Sequence, residues 1–217
     1  LNRHFLLISF LGFLIFIGMS ILFIKGYTST IDLFFTPLLN IESPLIINIM
    51  QVITEVGSVE AILLFSIVIL IYLLLIRKKY LFWFFSILSA GGVLLNLTLK
   101  LIFQRERPGD ATVIIETFGQ SIGLISYSFP SGHTMRSFLL FAFLLFLSNK
   151  VSNRYIQKFL YFTSVFFLIT IPLSRIILDS HFPTDIIAAI AVSIFWFFLT
   201  LYILSKFSKN SSKVSAM

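Results

Sequence analysis

The stretch FLLISFLGFLIFIGMSILFI, residues Phe5–Ile24, runs for 20 positions without a charge. A helix needs about 20 mostly apolar residues to cross the hydrocarbon core of a bilayer. No small-residue cleavage site follows a short apolar core here, so the stretch reads as a retained first helix rather than a cleaved signal peptide. Working outward from it, the same pattern recurs along the chain. Ala61–Ile76 is a second span, starting near Gly57 and closed by Arg77-Lys78-Lys79. Tyr80–Phe103 is a third, with Trp83 as an interface anchor. Phe138–Leu147 is the uncharged part of a fourth, which begins at Ser131. Tyr155–Ser174 and Thr184–Ser205 are the fifth and sixth. Lys25–Ser43, with Asp32, Pro37 and Glu42, reads as a loop with a surface-lying piece. Ile41–Glu55 has two readings, the start of the second span or a separate amphipathic helix. The sequence therefore predicts an all-α, polytopic membrane protein of six transmembrane helices, forming a single domain over residues 1–217 with a polar tail at 205–217.

Composition agrees. The chain is 58% hydrophobic and 12% charged, with a mean hydropathy of +1.02, whereas soluble domains carry about 25% charged residues. It contains no Cys, which removes disulfides, Cys-based zinc sites and thiol nucleophiles from consideration. The three His residues, His4, His133 and His181, are too scattered in sequence to suggest a metal cluster, and no cofactor is expected. The net charge of +7 does not point to nucleic acid, because the basic residues lie between apolar spans. Their distribution sets an orientation instead. With both termini on the cytoplasmic side, ten of the sixteen basic residues fall inside: Arg3, Arg77, Lys78, Lys79, Lys150, Arg154, Lys158, Lys206, Lys209 and Lys213. That satisfies the positive-inside rule. The expected location is the plasma membrane of a bacterium.

In that topology Lys100, Arg107, His133, Arg175, His181 and Asp185 all fall at the outer ends of spans three to six. Charges at membrane depth are expensive and mark functional sites. Cations and imidazoles gathered in one layer suit a tetrahedral oxyanion, since Arg bonds phosphate oxygens in pairs and Lys supplies a point charge. Phe129-Pro130-Ser131-Gly132-His133 opens the fourth span. A helix N-terminus favours anions, and Gly132, lacking a Cβ, allows backbone N–H groups to approach closely. Asp185 follows His181 by four residues, so its carboxylate is in reach of one ring nitrogen and leaves the other free to attack. For either His alone, a satisfied core histidine is the better reading. Lys100, Arg107 and Arg175 have the alternative of snorkelling helix-end anchors.

The pattern Lys100-x6-Arg107-Pro108, Pro130-Ser131-Gly132-His133 and Ser174-Arg175-x5-His181-x3-Asp185 resembles the three-part signature of the type-2 phosphatidic acid phosphatase superfamily. Eleven identities at set spacings cover residues 100–185. The resemblance implies a membrane lipid phosphatase that works without a metal. It implies that His181 is the nucleophile and forms a phosphohistidine, that Asp185 orients it, and that His133 is the general acid and base. Lys100, Arg107 and Arg175 would hold the phosphoryl oxygens, with Ser131 and the Gly132 N–H. The substrate would be a membrane lipid: phosphatidylglycerophosphate, phosphatidic acid or undecaprenyl pyrophosphate. A lipid-to-lipid phosphotransferase and a non-catalytic scaffold or transporter are the readings from other classes.

Two residues depart from the common pattern. Arg136, one turn after His133, has two readings: a contact to a second phosphate or acidic head group, or a salt bridge with Asp179 or Glu116. Asp179 is placed to pair with a site cation. The 27 Phe residues read as lipid-facing bulk, and Gly91-Gly92 as a point of close helix packing. The segment 109–129 is a candidate lid.

Overall fold

The computed structural model describes the backbone of residues 2–39, 41–108, 113–117, 120–124 and 127–214, and the side chains of 3–39, 41–108 and 127–206. Eight helices account for most of this: α1 (Asn2–Ile24), α2 (Tyr27–Leu39), α3 (Pro44–Glu55), α4 (Val59–Leu75), α5 (Lys79–Phe103), α6 (Gly132–Ser148), α7 (Arg154–Ile177) and α8 (Pro183–Val214). Between α5 and α6 a small antiparallel pair, β1 (Val113–Thr117) and β2 (Gln120–Leu124), sets Ile115 opposite Ile122. This hairpin, whose side chains are outside the described residues, lies in the segment read as a candidate lid.

Four helices, α1, α5, α7 and α8, are long and apolar enough to cross a membrane. The remaining two expected spans, α4 and α6, are apolar helices of 17 residues each. At 1.5 Å per residue such a helix reaches about 26 Å, short of the roughly 30 Å hydrocarbon core. The helix α8 continues through the stretch read as a polar tail, to Val214.

The segment Lys25–Ser43 departs most from its reading. A turn at Lys25-Gly26, with Gly26 at φ 78°, closes α1. The chain then forms the 13-residue helix α2 rather than a loop. The charge that suggested a loop, Asp32, is 3% exposed and faces inward. Its partners, Arg105 and Thr184, come from distant parts of the chain. Of the two readings of Ile41–Glu55, the separate helix holds. Pro44 opens α3 at its first turn, where the missing N–H leaves no bond unmade. Ser58 then caps α4, its hydroxyl accepting from the Ala61 N–H at 3.1 Å.

Two glycine contacts set the packing. An ideal Cβ on Gly12 of α1 would lie 2.8 Å from the Phe195 backbone nitrogen of α8, so the helices meet backbone to backbone. Ser9 reinforces this, donating to the Phe195 carbonyl at 3.0 Å. At Gly91-Gly92, the closeness read from sequence is present: a Cβ on Gly91 would collide with the Trp196 ring of α8, and one on Gly92 with Leu139 of α6. The Trp196 indole N–H is satisfied by the Leu88 carbonyl at 3.0 Å. The helix α6 touches α4, α5, α7 and α8 and forms the middle of the bundle.

The Phe residues divide into two sets, which corrects their reading as lipid-facing bulk. Phe10, Phe34, Phe159 and Phe162 do face outward. Phe84, Phe85, Phe129 and Phe143 are fully buried. Phe85 and Phe143 have ring centroids 4.6 Å apart in the middle of the bundle. Phe129 packs edge-on to Phe103 at 4.9 Å and stacks on Phe23 at 5.4 Å. That second cluster forms one wall of the segment that leads into α6.

Candidate active site

The chain turns sharply between α7 and α8. Asp179 adopts the left-handed conformation at φ 48°, which an Asp tolerates better than most residues. The N–H groups of Ser180 and His181 then both donate to the Arg175 carbonyl, at 3.0 and 3.1 Å. His181 is thus fixed just before α8, rather than on its first turn, and is 2% exposed. Pro183 starts α8, and Asp185 occupies its first turn. The Asp185 carboxylate reaches back to accept the Phe182 N–H at 3.0 Å, as in a capping box.

The same carboxylate oxygen lies 3.4 Å from His181 Nδ1. It also accepts a hydrogen bond from the Ser128 hydroxyl, and that hydroxyl sits 3.2 Å from His181 Nδ1. Two neighbours therefore define the Nδ1 side of the ring. Nε2, on the other side, is buried and has no hydrogen-bond partner. Burial lowers the His181 pKa to about 4, against the hydrogen bond and charge of Asp185, so the ring is neutral at physiological pH.

The charges of Lys100 and Arg107 reach this ring, and Arg107, Arg136 and Arg175 reach the neighbouring His133. Lys100, in the last turn of α5, donates from Nζ to the Tyr127 carbonyl. Arg175, near the end of α7, donates to Thr54 Oγ1 at 2.9 Å, which ties α7 to α3. Its Nε is buried and unpartnered, as is Nε of Arg136. Arg107, after α5, has its pKa lowered by burial while the charge of Asp185 pulls the other way. Gly132 shows how tightly this is assembled. A Cβ there would lie 3.0 Å from both Arg136 Nη1 and Asn96 Oδ1, and 3.6 Å from Lys100 Cε. A larger residue there would push those side-chain ends aside by a few tenths of an ångström. His133 follows on the same turn, near Gly57. Arg107, Arg136, Arg175 and His181 all lie close enough to His133 to act on its charge.

Ser131 caps α6 at the site. Its hydroxyl accepts the Thr134 N–H at 3.4 Å, as the cap of α6, and its own N–H donates to the Asp185 carbonyl at 3.3 Å. It joins the start of α6 to the start of α8. Asp179 forms no ion pair among the described residues, and neither does Arg136. Glu116, one suggested partner of Arg136, has its side chain outside the described residues; the acidic charge felt by Arg136 is that of Glu60.

Sequence reasoning missed a second layer. Arg105 donates to Asp185 Oδ1 and to Asp32 Oδ2, both at 2.6 Å, and to Thr184 Oγ1 at 2.7 Å. Its guanidinium lies 4.2 Å from the Phe182 ring centroid, a cation–π contact. Asp32 also accepts the Thr184 N–H at 3.0 Å. Asn96 donates to the Pro130 carbonyl at 3.2 Å, holding the segment before α6. The available signal was Asp32 itself, a charge in an apolar stretch.

Arg136 Nε, Arg175 Nε and His181 Nε2 are buried without a hydrogen-bond partner, and the charges of Arg107, Arg136, Arg175 and His181 meet at His133. Buried guanidinium donors without a partner suit an oxyanion, whose oxygens accept from them in pairs. Among the described residues, no three His, Cys, Asp or Glu are grouped to hold a metal ion. From Arg136 a cavity of about 430 Å³ extends toward the helix middles, between α4, α5 and α6. Its walls are apolar, including Ile62, Leu63, Val93 and Leu139.

A family model described as the PAP2 superfamily matches residues 79–209. Phosphatidylglycerophosphatase B of Bacillus subtilis (strain 168) is 27% identical over 167 residues, 73% of this chain and 75% of that protein. Among solved structures, the transmembrane PAP2-type phosphatidylglycerolphosphate phosphatase of Bacillus subtilis superposes with a TM-score of 0.72 at 23% identity, covering 91% of this chain and 97% of that one. LpxE of Aquifex aeolicus gives 0.55 at 23% identity, over 78% and 93%. The superpositions establish a shared fold, and the family model spans the segments that carry Lys100, His133, Arg175, His181 and Asp185: the chain belongs to the PAP2 superfamily.

Proposed function

We propose that this PAP2 phosphatase hydrolyses a lipid phosphate or pyrophosphate through a phosphohistidine on His181, without a metal ion. The observation that carries this reading is the two-sided environment of His181: Nδ1 held by Asp185 and Ser128, and Nε2 unpartnered in a layer of cations. Neutral Nε2 attacks phosphorus, the bond from phosphorus to the leaving oxygen breaks, and His133 gives that oxygen a proton. His133 then takes a proton from water. The hydroxide attacks phosphorus, the Nε2–phosphorus bond breaks, and phosphate leaves. Lys100, Arg107 and Arg175 hold the equatorial oxygens, where phosphoryl transfer asks for fixed positive charge.

The word lipid is supported by the apolar cavity that begins at Arg136 and runs between α4, α5 and α6. A phosphate among the cations then has its hydrocarbon continuing into that cavity. Arg136 stands between the two, in the position of a contact to a second phosphate group. The name of the Bacillus subtilis relative favours phosphatidylglycerophosphate, which carries such a group. The proposed topology has α1, α4, α5, α6, α7 and α8 as six spans, with the site at the outer face and both termini inside. The bent pair α2 and α3, at 118° to each other, packs against α7 and the site end of the bundle.

His181→Asn tests the mechanism. Purified wild type releases phosphate from phosphatidylglycerophosphate in the presence of a chelator, and the variant loses this activity by about 10⁴-fold or more, as removal of a nucleophile acting with its partners does. Undiminished release by the variant would remove His181 from the chemistry. Loss of wild-type activity on chelation would overturn the metal-free route alone.

A further inference from the structure

The opposite end of the bundle holds a second cavity that no part of the phosphatase chemistry uses. It measures about 940 Å³ and lies among the last turns of α4 and α6 and the first turns of α5 and α7. Ligand pockets typically measure about 300–1,000 Å³. Its walls are apolar, with Ile69, Leu81, Leu144 and Leu160 from four different helices. Its mouth is lined by Arg77, Lys78, Lys79 and Lys150. Arg77 adopts the left-handed conformation, φ 54°, in the short turn between α4 and α5, and all three consecutive cations of that turn line the cavity. Lys150, across from them, stands 5.0 Å from the Phe146 ring centroid.

These four cations make no ion pair among the described residues. The sequence offers them few acids: α5, α6 and α7 contain no Asp or Glu, and the one in α4, Glu60, is at the other end of its helix. Positive-inside topology accounts for basic residues in a connecting loop. It does not call for a cavity beneath them, nor for apolar walls contributed by four helices.

We infer that this cavity binds an anionic phospholipid from the leaflet opposite the active site, with its phosphate among Arg77, Lys78, Lys79 and Lys150 and its upper hydrocarbon chain between α4, α6 and α7. Basic pockets between transmembrane helices recognise acidic head groups in this way. Free phosphate shares the charge chemistry, but only a lipid also covers the apolar walls. No catalytic group contributes to the site, so it stands whether or not His181 is a nucleophile. A lipid held there joins the ends of four helices, of which α5, α6 and α7 carry Lys100, His133 and Arg175, and its binding stabilises the folded bundle by mass action.

The test uses purified, delipidated full-length protein in neutral detergent, followed by thermal unfolding. With inorganic phosphate saturating throughout to occupy the active site, phosphatidylglycerol is expected to raise the midpoint at concentrations about tenfold lower than phosphatidylcholine. Leu144→Trp and Leu160→Trp fill the cavity while keeping every cation, and each is expected to abolish the preference for phosphatidylglycerol. The combined variant R77Q/K78Q/K79Q/K150Q is expected to abolish it from the charge side. If that variant does not fold, the two tryptophan variants decide. An unchanged phosphatidylglycerol shift in the tryptophan variants would place the lipid elsewhere, including at the active-site end, and overturn the proposal. A phosphatidylglycerol shift that disappears in saturating inorganic phosphate would also overturn it, leaving a simple anion site.

Discussion

Arg105 holds two buried carboxylates at once, Asp32 and Asp185, each at 2.6 Å. Asp185 in turn sets the face of His181, so Arg105 is a positioning residue that acts through its neighbour. Removing one partner of a buried charged set leaves the others uncompensated, at about 3–5 kcal/mol. Arg105→Met should lower the unfolding midpoint in detergent by an amount of that order. Removing the extra charge as well, in R105M/D32N, should recover part of it. A single variant as stable as wild type would show that the network carries no such weight. At the same scale, the depressed pKa of His181 has a definite sign. A nucleophilic imidazole must be neutral, and burial holds its pKa at about 4, below the ordinary value. Protonation of His181 therefore removes activity only as the pH falls toward about 4. The acid limb of kcat/KM assigned to His181 should lie there. A limb near 6.5 that traces to His181 would mean that water or substrate keeps the ring solvated. Stability follows the same proton. The unfolded chain takes it up near pH 6.5 and the folded chain near 4, so this group's contribution is lost as the pH falls across that interval.

At the scale of elements, α6 carries most of the functional load. Its N-terminus, opened by Gly132, abuts Lys100 and Arg136, and its next turns wall the cavity of about 430 Å³ with α4 and α5. If that cavity takes the substrate's hydrocarbon, narrowing it should discriminate by chain length. Ala90→Trp on α5 points a large ring at that cavity. It should raise KM for a long-chain lipid phosphate by about tenfold, a loss of about 1.4 kcal/mol, and leave a short-chain, water-soluble phosphate monoester unaffected. An equal effect on both substrates would assign the cavity to packing alone. The pair α2 and α3 shows how elements beyond the signature enter the site. Asp32 of α2 and Thr54 of α3 supply partners to Arg105 and Arg175. Neither segment belongs to the three motif blocks.

For the whole molecule, alternation of α5, α6, α7 and α8 places Lys100, His133, Arg175 and Asp185 at one end and Arg77–Lys79 with Lys150 at the other. The proposed orientation puts the first group outside. Because the natural chain has no Cys, single cysteines report on this cleanly. Glu106→Cys, exposed at the active-site end, should react with a membrane-impermeant maleimide in intact cells. Ser152→Cys, exposed at the other end, should react only after the membrane is opened. The reverse pattern would invert the topology while leaving the site's chemistry intact.

The apolar runs, their lengths and the motif spacing were legible without coordinates, because burial in lipid constrains every residue of a span and the signature spacing is local. Helix alternation alone gathered Lys100, His133, Arg175, His181 and Asp185 at one end. The sequence did not reveal α2. Asp32 and Pro37 resemble loop chemistry until Arg105 and Thr184 are seen to satisfy the carboxylate. Nor did it separate Phe129, in the core, from Phe10, on the outside, because composition does not say which face of a helix meets another helix. Nor did it show that Ser131 joins the starts of α6 and α8, since that bond runs from its backbone N–H to the distant Asp185 carbonyl. By itself the sequence determined the membrane class and the signature residues, through hydrophobicity and spacing. Only the tertiary structure decided how His181 is held and what supports it, because Ser128, Arg105 and Asp32 meet Asp185 across long chain separations that no local pattern encodes.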